Sequence, residues 1–166
     1  MKKLFYIIAI FFLKFNFAYS LIEVDITRGN LDPLPIAVSP LHVDTQSDNY
    51  QNVKVKELGD KISEVIEKNF KSTGLFNPLN KDAFVQKPDI AHLKPRFEDW
   101  RLITAQALVT GKLLIKDDKL KIEFRLWDLA ASQEMVALAF TTTPKNWRRV
   151  AHIISDKIYE RLTGED

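Results

Sequence analysis

The sequence predicts an α/β fold, a mixed β-sheet of about five strands with helices packed on it. Three observations carry that expectation. The run from Ala105 to Thr143 reads as three consecutive antiparallel strands. Between Ile36 and Leu79 a short strand, a helix and another strand follow one another, which implies a right-handed parallel crossover. Between Asn146 and Thr163 an amphipathic helix carries a stripe that must pack on the sheet.

The N-terminus stands apart from this domain. Met1-Lys2-Lys3 is a short basic start, Leu4 to Phe17 is mostly apolar and aromatic, and Ala18-Tyr19-Ser20 offers small residues where a signal peptidase cuts. Lys14 and Asn16 leave ten uninterrupted apolar residues, Leu4 to Leu13. A spanning helix needs about 20, so residues 1–20 are expected to be a signal peptide cleaved after Ser20, with no stable membrane insertion afterwards. Its loss takes away Lys2, Lys3 and Lys14 and no acid, leaving 21 bases against 22 acids, a net charge of −1. The basicity of the whole sequence belongs to the signal, and a nucleic-acid role loses its electrostatic support.

Residues 21–35 are expected to form a mobile N-terminal tail. Ile22, Val24 and Ile26 alternate with Glu23, Asp25 and Thr27, a strand pattern at a new chain end. Pro33 and Pro35 stiffen the end of this segment. The segment is either an edge strand of its own domain or a tail that adds itself to another protein's sheet. The domain proper is expected over 36–166. Ile36-Ala37-Val38 reads as its first short strand and His42 to Asn52 as a polar loop. A helix runs from about Lys54 to Thr73, with Val55, Leu58, Ile62, Val65, Ile66 and Phe70 on one stripe and Gly74 placed to close it. Gly59 sits inside that helix at a small cost in propensity.

Leu75 to Leu79 is the next strand. Asn80 to Lys87 has room for a helical turn, Lys87 to Pro95 is a loop, and Phe97 to Thr104 a short helix carrying Trp100. The strand from Ala105 to Ile115 is less strictly alternating and more continuously apolar than the next, as suits a strand covered on both faces. Leu120, Ile122, Phe124 and Leu126 alternate with Lys121, Glu123, Arg125 and Trp127 in the strand after it. Lys116 to Lys119 and Asp128 to Gln133 connect these strands. In the third, Val136, Leu138 and Phe140 share a face, with Ala137 and Ala139 behind. Thr143 and Pro144 start the last helix and Gly164 ends it. Trp147 lies on its core stripe. Trp127 is either half-covered by the following loop or open to a partner.

Chemistry-bearing motifs are missing from the pattern. The five glycines are isolated, so there is no phosphate loop. His42, His92 and His152 lie at no metal-ligand spacing. With no cysteine there is no thiol nucleophile or thiolate site. Ser39 and Ser47 lack the context of a nucleophile elbow. Neither cofactor nor catalytic residue is assigned, and the chain reads as a binding or assembly protein rather than an enzyme.

Several segments together resemble the amino-terminal domain of the TolB family: Pro33 to Pro40, Gly74 to Leu79, Trp100-Arg101, Asn146 to His152 and Ile158 to Glu165, in order and at plausible spacing. The resemblance implies an anticodon-binding-domain-like α/β fold, a periplasmic location, and a part in the Tol-Pal system, in outer-membrane integrity and in envelope invagination at division. It implies that the tail, with Ile22, Glu23, Val24, Asp25, Ile26 and Thr27 as partner-binding residues, takes the periplasmic domain of TolA. The family continues into a six-bladed β-propeller that carries the surface for the lipoprotein Pal. That propeller is absent from these residues, so none is carried over for Pal. The expectation is a fragment of a longer reading frame or a stand-alone domain. A strand-capturing periplasmic module unrelated to TolA is the alternative function.

Overall fold

In the computed structural model, which describes residues 21–24 and 32–165, six strands form one sheet in the order β3-β1-β4-β5-β6, with β2 pairing on β4. The strands are β1 (Leu34–Val38), β2 (His42–Val43), β3 (Phe76–Pro78), β4 (Ala107–Lys116), β5 (Lys119–Asp128) and β6 (Gln133–Thr142). β1 pairs in parallel with β3 and β4, whereas β4, β5 and β6 run antiparallel, so the sheet is mixed. The helices are α1 (Val53–Lys56), α2 (Leu58–Thr73), α3 (Pro88–Ala91), α4 (Phe97–Leu102) and α5 (Trp147–Thr163). None of the described helices is long and apolar enough to cross a membrane. The expected signal peptide, residues 1–20, lies outside the described residues.

Hydrophobic pattern explains the layers. Ile36, Val38, Val109, Leu120, Ile122, Phe124 and Leu126 turn to one face and meet Ile62, Ile66 and Phe70 of α2 and Ile154, Ile158 and Leu162 of α5. Leu108 and Trp127 turn to the other face, where Ala91 of α3 and Trp100 of α4 cover them. β4 is thus buried from both sides over most of its length, as its weakly alternating, largely apolar sequence predicts. Trp127 is covered by α4, with its indole edge-on to Phe97 at 5.8 Å and its N–H on the Thr110 hydroxyl at 2.9 Å. It is not open to a partner. Trp147 lies half-buried at the margin of the core.

Several local expectations change. β1 starts at Leu34 and includes Pro35, whose missing N–H is tolerated near the strand's start. The segment expected as a polar loop contains β2, which continues beyond β1 along the same side of β4. Ser39, Asp44 and Asp48 donate N–H bonds to Val109, Leu113 and Ile115 on the way. The helix expected from Lys54 breaks at Glu57 into α1 and α2. The loop from Lys87 to Pro95 holds α3, with Pro88 in its first turn. Gly59 has a reason that propensity does not show: a Cβ there would lie 1.9 Å from the Leu41 carbonyl oxygen. The β4–β5 turn has positive φ at both Asp117 (50°) and Asp118 (56°), the shape favoured between two strands and one that Asp tolerates.

Candidate partner-binding surface

The described part of the N-terminal segment lies against the domain where β5 ends and α5 ends. Two of its backbone donors bond to the body. The Ile22 N–H donates to Asp128 Oδ2 at 2.9 Å, and the Val24 N–H donates to the Leu162 carbonyl at 2.6 Å. The second acceptor belongs to the last turn of a helix, whose final carbonyls have no partner within the helix. Gly164, with φ of 71°, takes the left-handed conformation that turns the chain there. The Ile22 and Val24 side chains are half-buried against the main core, whereas Glu23 between them is exposed, the alternation read in the sequence. Asp25, Ile26 and Thr27 lie outside the described residues.

Asp128 is the anchor that the sequence did not mark. It is fully buried at the end of β5. Oδ1 accepts the Ala131 N–H at 2.8 Å, which closes the β5–β6 connection, and Oδ2 takes the tail. An Asp at the end of a strand signals a turn, and only its burial shows that it holds two segments. Nearby, the Tyr159 hydroxyl donates to Glu165 at 3.1 Å, and that carboxylate raises the phenol above its usual range.

Among the described residues, the other polar clusters show no catalytic constellation. Asn69 donates both to His152 Nδ1 and to Ser155 Oγ, at 2.9 Å each. The Ser155 hydroxyl donates to the Ala151 carbonyl at 3.0 Å, so His152 does not activate it. Ser39 and Ser47 are buried, the first donating to the Pro40 carbonyl and the second accepting the Ile115 N–H. His42 and His92 stack at 4.5 Å with a 7° interplanar angle. Burial lowers the His42 pKa first, and the neighbouring His92 adds to it. In a groove of about 440 Å³ beside α2, burial raises the Glu67 carboxyl while Lys81, at 3.3 Å, opposes the shift. Among the described residues no three His, Asp or Glu side chains converge as metal ligands.

Residues 22–135 match the family described as the TolB amino-terminal domain. A curated relative, the Tol-Pal system protein TolB of Pelagibacter ubique (strain HTCC1062), is 65% identical over 150 residues. The match takes in 89% of this chain and 34% of that protein, so the chain spans about a third of the relative's length. Among solved structures, TolB from Acinetobacter baumannii superposes with a TM-score of 0.63 at 20% identity, over 86% of this chain and 31% of that one. A PelC dodecamer from Paraburkholderia phytofirmans gives 0.51 at 13% identity, over 87% of this chain and 96% of that one. At such identities the likeness to the two solved structures is one of fold.

Proposed function

This chain belongs to the family of TolB amino-terminal domains, and from that premise we propose that it is a periplasmic protein-binding component of the Tol-Pal system. It is exported on residues 1–20 with cleavage after Ser20, and it supports outer-membrane integrity and envelope invagination at division. Its partner is the periplasmic domain of TolA, and the surface is the N-terminal segment, Ile22, Glu23, Val24, Asp25, Ile26 and Thr27. Its role is binding, with no catalytic group assigned. The residues that meet Pal in the family belong to the propeller, and none is assigned here.

The observation that carries this reading is that Leu21–Val24 lies outside the sheet, which is complete without it. The Ile22 and Val24 N–H groups bond to Asp128 and to the Leu162 carbonyl, and their side chains are half-buried against the core. Release exposes Ile22 and Val24 together with the backbone groups between them. In an extended partner-bound form, backbone bonds supply affinity and the alternating side chains supply register.

The test is calorimetric titration with the TolA periplasmic domain. Deleting residues 21–32 should abolish binding while lowering stability by only about 1–2 kcal/mol, the net weight of a few surface contacts. Val24→Pro should act likewise by removing a donor. Undiminished binding by the deleted form defeats the assignment. Tail-dependent capture of unrelated strands with equal affinity would favour a general strand-capturing module.

A further inference from the structure

We propose that the outer edge of β6 is a second binding site, one that takes an extended segment alternating carboxylate with β-branched aliphatic residues as an added strand. This goes beyond the tail and does not depend on it.

Among the described residues, β6 ends the sheet and pairs only with β5. It is ten residues long. After the register shift opposite Leu126/Trp127, its regular stretch from Val136 to Thr142 reads Val-Ala-Leu-Ala-Phe-Thr-Thr, without charge, proline or glycine. Natural edges are normally blunted by such residues, because alternate N–H and C=O groups otherwise point outward as a template. Leu138 is 41% exposed, and with Val136 it floors a groove of about 280 Å³ rimmed by Lys157, Glu160 and Arg161 of α5.

The rim indicates the occupant. Arg149, Ile153, Lys157 and Arg161 recur every four residues, which places them on one row of α5. α5 returns over β6, so Arg161 and Lys157 lie by Val136 and Leu138, and Arg149 falls towards Thr142. The acid in the groove lining, Glu160, pairs with Lys157 at 2.6 Å. Beyond that pair, Arg149 and Arg161 carry positive charge along the row. An incoming Glu on the α5 side spans the apolar floor with its methylenes and reaches the cations. On the opposite face Ala137 and Ala139 are small and exposed, leaving space for Val or Ile. A second copy fits poorly. Antiparallel pairing of two β6 edges puts both α5 helices on one face of the joined sheet, with cation row against cation row.

The probe is an acetylated, amidated (Val-Glu)4 peptide titrated into the protein and followed by amide NMR, with (Val-Lys)4 as its counterpart. Shifts in β6 and along the Arg149 to Arg161 row are expected, with the Glu peptide bound at least about tenfold more tightly and its affinity falling with salt. N-methylation of alternate Val residues should weaken binding about tenfold or more by removing ladder donors. R149E/R161E, both outside the core, should invert the charge preference at an unchanged thermal midpoint. Equal affinity for both peptides, shifts at β3 instead of β6, no shifts at all, or β6 shifts that follow protein concentration without peptide would each overturn the proposal.

Discussion

Replacing Gly59 with alanine separates what helix propensity says from what the packing says. By propensity alone the change should stabilise α2 by up to about 1 kcal/mol. In the structure the new Cβ would stand 1.9 Å from the Leu41 oxygen and 2.9 Å from its carbonyl carbon, where ordinary contact begins at 3.4 Å. Both atoms are backbone and cannot rotate aside. Leu41 itself is fixed, because its N–H donates to the Gly59 carbonyl at 3.3 Å and its side chain is 3% exposed. On either side Ser39 and Asp44 are bonded to β4. Relief of about 1.5 Å must therefore come from lifting the start of α2 off the sheet, which loosens Leu58 and Ile62. Overpacking costs about 1–3 kcal/mol, and backbone against backbone belongs at the upper end. Set against the propensity gain, a net loss of about 2 kcal/mol is expected, or roughly 6 °C in thermal midpoint. Urea unfolding followed by the fluorescence of the buried Trp100 and Trp127 measures it. Lys68→Ala, at an exposed site on the same helix, should stay within about 0.5 kcal/mol. A Gly59→Ala protein as stable as the parent would refute the close approach of α2 to the Leu41 backbone.

Three further outcomes are expected. Phe124 is 1% exposed and stacks on Phe140 at 6.2 Å, so Phe124→Ala should cost about 3–5 kcal/mol, and a loss below about 1 kcal/mol would mean that the strand's register is wrong. Asp128→Ala strips the partners from the Ile22 and Ala131 N–H groups and should cost about 1–3 kcal/mol; unchanged hydrogen exchange at the Ile22 amide would contradict the anchor role. The imidazolium of His42 is disfavoured by burial and by His92, with Asp44 and Asp89 opposing and Lys112 reinforcing, so its folded pKa lies below the ordinary 6.5. The unfolded chain then takes up a proton first as pH falls. This contribution to stability is present above pH 6.5 and is lost through the folded value, a slope that His42→Gln should flatten in urea melts across that window.

The alternation of Leu120, Ile122, Phe124 and Leu126 and the stripes of α2 and α5 were legible because burial on one face imposes a fixed period on the sequence. The parallel crossover came from the order of elements alone. The antiparallel run and the glycine ends of both long helices were equally local, for a turn or cap acts within a few residues. The partner-binding segment was legible only as an alternating pattern at a chain end, the same pattern an ordinary edge strand would show.

Contacts between segments distant in the chain were decided by the tertiary structure. β2 has two residues and no period of its own; the open side of β4 gives it partners. Gly59 reads as a mild helix defect until the Leu41 carbonyl is placed against it. Asp128 reads as a turn residue until burial removes water and leaves it the acceptor for two N–H groups, one of them 106 residues away in sequence. The row of cations beside β6 is visible as a period of four, yet its meaning depends on which strand lies at the sheet's edge. Periodicity reports that a side chain needs cover. The identity of the covering segment is fixed by the long-range pairing of the sheet, because one hydrophobic face fits many partners and only the assembled fold selects among them.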